Sequence, residues 1–299
     1  LARELQGRAA GQLEERHRLL PLPLLVYEAD EAGLQALIDA NLVQVIYENV
    51  TFLPFLADTL PIIQAASLHS VGGTGSGHAV AVLDSGIQRN HPMFSGKIVG
   101  EACFASDFSS SYPGCPAGHN APSTAPGASE TCTGHAECSH GTHVSGIAVG
   151  SQQTVTGTII KGVAPSANIV PIRAGTLQPA GFGIGVRYQL DDTITALAWV
   201  YSQRNALSIS AINMSYGSLT LFTGYCDSTY TDIAQQVDLL TGAGVAVIAA
   251  SGNSGLGSYA GTIAAPACIE NVISVGAVKK DESFADYSNA NPTLDLLAP

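Results

Sequence analysis

Charge of either sign is sparse in this chain, and positive charge most of all. Charged residues make up 12% of its 299 residues, roughly half of the usual share of about 25%. Only 12 are lysine or arginine against 24 acids, and the net charge of −12 repels nucleic acid and anionic membrane alike. Neither is expected as a partner. Long apolar runs are missing too: a stretch such as Val245-Ala246-Val247-Ile248-Ala249-Ala250 falls far short of the ~20 residues that span a bilayer. It reads as a buried strand. The sequence opens at Leu1 without a basic start followed by an apolar run, so no signal peptide is visible in it.

What the chain has in quantity is glycine, 32 residues, which together with the low charge implies closely packed backbone with many turns. A disordered or coiled-coil protein is excluded. The length accommodates one large domain plus a small one. Six cysteines, an even number on an acidic, lysine-poor chain, point to an oxidising compartment, secreted or periplasmic, although their connectivity is not readable from sequence. The close spacing of Cys132, His135, Cys138, His140 and His143 leaves a zinc-binding Cys/His module open as an alternative.

Residues 1–55 carry a pattern of their own. Leu1, Leu5, Ala9 and Leu13 recur at helical spacing, Leu22 to Tyr27 reads as a strand, and Asp30 as a helix cap. Leu34, Leu37 and Ile38 share a helical face, and Val43 to Tyr47 reads as a further strand. This predicts a small ferredoxin-like α+β unit whose usual opening strand would lie ahead of Leu1. Residues 56–70, with prolines at 54 and 61 nearby, read as a linker or cleavage region that leaves 71–299 as the main domain.

From His78 onward, strands and helices alternate. Strands are predicted at Ala79–Leu83, Ile169–Ile172, Ile209–Asn213, Val245–Ala250 and Val272–Val275, and helices at His140–Gly150, Asp191–Tyr201 and Tyr230–Thr241. Strands apolar on both faces between helices argue for a three-layer α/β/α fold with a mainly parallel central sheet. Gly72-Gly73-Thr74-Gly75-Ser76-Gly77 precedes its strand instead of following one, so it is a turn and not a dinucleotide fingerprint. The 103–138 region, rich in Ser, Pro, Gly and Cys, reads as a long surface loop held by disulfides.

In a parallel sheet, chemistry collects beyond the carboxyl ends of the strands. Asp84, Asn213 and Asn253 fall there, and His140 opens a helix of small residues. A histidine at such a place exchanges protons near neutral pH. An Asp before Ser-Gly, taken alone, is a turn former; three strand ends and a histidine helix in this order are more than that.

These stretches resemble the subtilisin-like serine proteases, the subtilase family, from about Leu60 to Pro299. Val82-Leu83-Asp84-Ser85-Gly86-Ile87, with His91-Pro92 after it, is similar to the family's aspartate motif. His140-Gly141-Thr142-His143-Val144-Ser145-Gly146-Ile147 is similar to its histidine motif, and Gly162-Val163-Ala164-Pro165 to the entry of the strand that follows. Ile212-Asn213-Met214-Ser215-Tyr216-Gly217 resembles its substrate-binding strand and Ala249-Ala250-Ser251-Gly252-Asn253 its oxyanion segment. The resemblance implies a serine endopeptidase acting on protein or peptide substrates. Asp84 would orient His140, His140 would act as general base, and Asn253 would donate to the oxyanion. Ser215, Tyr216, Gly217, Ala250, Ser251 and Gly252 would bind substrate. His143 is expected to give packing or hydrogen-bonding support along the helix.

Two departures shape the expectation. The family's nucleophile sits in a Gly-Thr-Ser segment a short way after Leu297-Ala298-Pro299, and no serine here has that context. The 299 residues are therefore expected to be inactive as they stand, with a non-catalytic peptide-binding protein as the alternative. Residues 1–55 resemble the family's prosegment, an intramolecular chaperone and inhibitor. Calcium is common in the family, but Ser151 to Lys161 lacks the asparagine-bearing loop of its best-known site.

Overall fold

A computed structural model describes residues 13–19, 24–39, 56–180 and 183–299. The chain divides into two compact units, Leu1–Pro54 and Phe55–Pro299.

In the first unit, strand β1 (Leu13–Leu19) pairs antiparallel with β2 (Leu24–Ala29), with an irregularity between Glu15 and His17. Helix α1 (Glu31–Asp39) follows. Asp30 caps it as expected: the amide of Gly33 donates to Asp30 Oδ1 at 2.7 Å, and Glu31 adds negative charge to the first turn. Leu13 lies in a strand instead of a helix, and Leu24–Ala29 is a strand as expected, while Leu22 and Pro23 lie outside the described residues. Cross-strand pairing has overridden the local spacing, as it commonly does in hairpins. Leu1, Leu5, Ala9 and the strand expected at Val43–Tyr47 lie outside the described residues.

The second unit opens with two short helices, α2 (Leu56–Ile62) and α3 (Ala65–Ser70), so the residues read as a linker are helical. The glycine-rich turn follows, with Gly72, Gly75 and Gly77 at φ of 89°, 83° and 84°. Then come β3 (Ala79–Asp84), β4 (Ala102–Cys103) and helix α4 (His140–Val149). A hairpin of β5 (Gln153–Val155) and β6 (Thr158–Ile160) precedes β7 (Asn168–Arg173). A second hairpin, β8 (Gly175–Ala180) with β9 (Gly183–Tyr188), leads into helix α5 (Leu190–Gln203). Strand β10 (Ile209–Met214), the short β11 (Leu221–Phe222), helix α6 (Thr231–Gly242) and β12 (Ala246–Ala250) continue the alternation. The chain closes with β13 (Ile263–Ala264), β14 (Ile273–Ala277) and β15 (Leu296–Ala298).

Seven strands form the central sheet in the order β15-β14-β12-β10-β3-β7-β4, and every pair in it is parallel. The period-two geometry of a strand sends alternate residues of β3 to opposite faces. Ala79, Ala81 and Leu83 join Leu197 and Val200 of α5 and Val237 and Leu240 of α6 in the larger core. Val82, with Val80 beside it, joins Ile87, Phe94 and Ile169 beneath Val144 and Val149 of α4. Both faces of the sheet are thus covered at β3, which is why it reads as a continuous apolar run.

Disulfides Cys103–Cys115 and Cys132–Cys138 staple the 103–138 loop, as its composition predicts, and Cys226–Cys268 closes the third pair.

Candidate active site

Strand register sets the site's outline. Leu83 of β3 lies beside Met214 of β10, and Met214 lies beside Ala249 of β12. One residue further on, Asp84, Ser215 and Ala250 therefore stand in a row across the carboxyl edge, with neighbouring strands about 4.8 Å apart.

Asp84 is 1% exposed, and His140 opens α4 directly above it with its side chain 44% exposed. The ring's Nδ1 lies 2.8 Å from Asp84 Oδ1 and 3.0 Å from Oδ2. A carboxylate only accepts, so in the neutral ring Nδ1 carries the proton and Nε2 keeps its lone pair. This hydrogen bond is the main cause that raises the pKa of His140 above its ordinary value. Burial works against it, and the negative charges of Asp84 and Glu137 add to it.

The helix start reaches the strand end because position 141 has no side chain. A Cβ on Gly141 would lie 2.2 Å from the carbonyl oxygen of Gly86 and 3.0 Å from Asp84 Cβ. Ser85 Oγ accepts the Gly141 amide at 3.0 Å and donates to the carbonyl of Cys138 at 3.1 Å. Thr142 Oγ1 accepts the amide of Gln88 at 2.9 Å. The Cys132–Cys138 bridge fixes the turn that feeds this helix. His143, expected to support the helix by packing, is exposed.

Asn253 follows β12 on an exposed bend. Its loop is held by Asn289, fully buried, whose Oδ1 accepts the amide of Ser254 at 2.7 Å and whose amide donates to the carbonyl of Gly252 at 3.0 Å. Gly252 adopts a φ of 114° that other residues rarely take. Ser251 is buried and engaged within the fold: its amide donates to Val275 and its carbonyl accepts from Ala264, both at 2.9 Å. Its hydroxyl lies 3.4 Å from that of Ser288.

Beyond Met214 the ladder with β3 and β12 ends. Among the described residues no turn or loop hydrogen bond engages the main chain of Tyr216 or Gly217, whereas Ser218 is tied to Ala265 at 2.8 Å. Beside this edge lies a cavity of about 1020 Å³ lined by Ile184, Val186, Tyr188 and Leu190 on one side and by Tyr216, Leu219 and Tyr230 on the other.

A parallel sheet with an aspartate at one strand end, a histidine helix bonded to it and an open main-chain edge beside them narrows the choice of family. The family model described as the Subtilase family matches residues 75–299. The chain belongs to the subtilase family. Among similar relatives of this subtilase chain, Subtilisin E of Bacillus subtilis (strain 168) is 32% identical over 79% of the chain and 50% of its own length. The Alkaline protease of Shouchella clausii is 30% identical over 96% of the chain and 63% of its own length. The crystal structure of a cold adapted subtilisin-like serine proteinase is 25% identical, with a TM-score of 0.49, covering 76% of this chain and 64% of that one. The subtilase chain spans about half the length of the first curated relatives it matches.

The zinc alternative is overturned. Cys132 and Cys138 are bonded to each other and offer no thiolates, and His140 is committed to Asp84. Calcium takes six to eight oxygen ligands, carboxylates prominent among them. Residues 151–161 of this subtilase contain no Asp, Glu or Asn and fold into the β5–β6 hairpin. Carbonyls on either side of the hairpin already hold a cation: Lys97 Nζ donates to Val149 at 2.5 Å and to Pro165 at 2.6 Å. That segment does not fit a calcium ion.

Four site residues were not assigned their roles from sequence. Ser85 lay inside a quoted motif with no role attached, and Gly141 counted only among the small residues that let its helix pack closely. Tyr188 stands on a hairpin whose glycines and Pro179 disguise its strands, and Asn289 lies in a polar stretch with no periodic signal.

Proposed function

We propose that this chain carries the acid–base part of a serine endopeptidase site acting on protein or peptide substrates. The observation that carries the reading is the contact of one protonated Nδ1 with both oxygens of the buried Asp84 carboxylate. Asp84 holds His140 in the tautomer that leaves Nε2 free and stabilises the imidazolium once formed. His140 takes the proton of a serine hydroxyl and returns it to the leaving amine. The family resemblance assigns the nucleophile to a Gly-Thr-Ser segment, which these 299 residues do not contain. Asn253, exposed at the end of β12, donates its amide to the oxyanion. Substrate pairs as an extra strand along Ser215–Gly217 and inserts an apolar side chain into the neighbouring cavity.

Residues 1–55 act as the prosegment, and the protein is exported to an oxidising compartment. The separate N-terminal unit supports the first, as does an alignment to the Alkaline protease that takes in 96% of the chain. The three disulfides support the second, and no helix among the described residues is long and apolar enough to cross a membrane.

The test is hydrolysis of an unstructured protein by the product of the complete gene, beside the same product with His140→Ala. Loss of about 10⁴-fold or more in kcat is expected. Hydrolysis undiminished by the substitution overturns the reading.

A further inference from the structure

Asp84 Oδ1 takes three hydrogen bonds. Two come from the motif itself, His140 Nδ1 at 2.8 Å and the amide of Ser85 at 2.7 Å. The third comes from the β8–β9 hairpin, more than a hundred residues along the chain, where the hydroxyl of Tyr188 donates at 3.2 Å. The Tyr188 ring lies flat on Tyr216, centroids 4.0 Å apart and planes 4° from parallel. Tyr216 belongs to the open edge Ser215–Gly217, and its own hydroxyl lies 3.2 Å from Thr193 Oγ1. Thr193 donates its proton to Gln189 at 3.0 Å, so Tyr216 is the donor to Thr193.

The fold makes room for this ring. Gly175 pairs with Tyr188 across the hairpin, and a Cβ at 175 would lie 2.8 Å from Tyr188 Cε1 and 2.5 Å from Val186 Cγ1. Only glycine leaves the ring where it is. Burial and the nearby Asp84 charge both push the Tyr188 phenol above its ordinary range, so it stays a neutral donor wherever the histidine titrates.

We propose that Tyr188 is a positioning residue of the acid–base pair: its hydroxyl fixes the Asp84 carboxylate, and its stack on Tyr216 ties that carboxylate to the substrate-binding edge. The inference rests on the reading of Asp84 and His140 given above. A carboxylate that shares its charge with a second donor polarises the imidazole less and is held in one orientation. Substrate lying along the edge presses on Tyr216, and the stacked ring conveys that pressure to the hydroxyl at Asp84. The charged groups around the imidazole are Asp84 and Glu137, with Arg187 placed 3.7 Å from Glu137; substitution of Tyr188 by phenylalanine leaves all three in place.

The experiment is NMR titration of His140 in the 299-residue chain, which needs no peptide cleavage and so stands or falls apart from the endopeptidase assay. In Tyr188→Phe, the ring and its stack remain and only the donor is lost, so the His140 midpoint should rise by about half a pH unit. In Tyr216→Phe, which keeps the stack and removes a hydroxyl directed at Thr193, it should move by no more than about 0.1 unit. In the unsubstituted chain, the Tyr188 Cζ resonance should move with the same midpoint as His140, because both report on one carboxylate. A Tyr188→Phe midpoint that is unchanged or lowered overturns the proposal, as does an equal rise in both variants. Should Tyr188→Phe fail to fold, the Cζ resonance decides alone: if it stays flat through the His140 titration, the proposal is wrong.

Discussion

Ser85 and Gly141 are 56 residues apart in sequence, yet the hydroxyl of one accepts the amide of the other at 3.0 Å. Through this bond the end of β3 and the start of α4 form one unit, and the distance between Asp84 and His140 is set by backbone before either side chain turns. The bond exists because nothing stands between the two elements at position 141.

Gly141→Ala is the direct probe. The added Cβ would meet the Gly86 carbonyl at 2.2 Å, and that atom is backbone that does not swing aside. Overpacking of this kind costs about 1–3 kcal/mol. The urea midpoint should fall accordingly, and the His140 NMR midpoint should move towards the ordinary histidine value as the ring leaves the carboxylate.

The His140–Asp84 bond also sets a pH dependence. Because the folded pKa is raised above the unfolded value near ~6.5, the stabilisation is complete below that value and is lost as pH rises through the folded midpoint. Denaturation across pH 5–9 should show this loss in the unsubstituted chain and not in Asp84→Asn. The effect is small, because the ring is 44% exposed and solvent screens it. If His140 is the general base proposed above, hydrolysis by the full-length protein requires the neutral imidazole and should climb across the same midpoint.

Asn289→Ala removes the side chain that holds the 252–255 bend. With the Ser254 amide deprived of its 2.7 Å acceptor, stability should drop by about 1–3 kcal/mol. Hydrogen exchange at Ser254 should accelerate well beyond that at Val247 in the core of β12.

Lys97→Met leaves the Val149 and Pro165 carbonyls without their shared cation. A loss of about 2–3 kcal/mol is expected from thermal or urea unfolding.

Much of this was legible in the sequence. The strands at 79–83 and 169–172 are almost wholly buried, and the residues of 209–213 and 245–250 are buried or half-buried, so all four read as apolar runs and their ends fall within a residue or two of prediction. Asp84 and His140 were legible because motif and position agree. Strand β1 was not, since LEERHRL is a strand only by virtue of its partner. The β8–β9 hairpin was hidden for a related reason: Gly175, Pro179, Gly183 and Gly185 weaken any strand signal, and it is cross-strand pairing that makes them strands. Tyr188 went unseen with it. Residues such as Asn289 act on backbone far away in sequence, and no local pattern announces that.

The sheet order has a consequence for how the molecule is made. β3 has no hydrogen-bonded neighbour close to it in sequence: it lies between β7 and β10, and β10 joins it to β12. Asp84 meets the Ser215 edge and the Asn253 loop only after the closure of β3 on β10, which spans more than a hundred residues and is a slow, late step in folding. A half-synthesised or half-folded molecule therefore holds no assembled site.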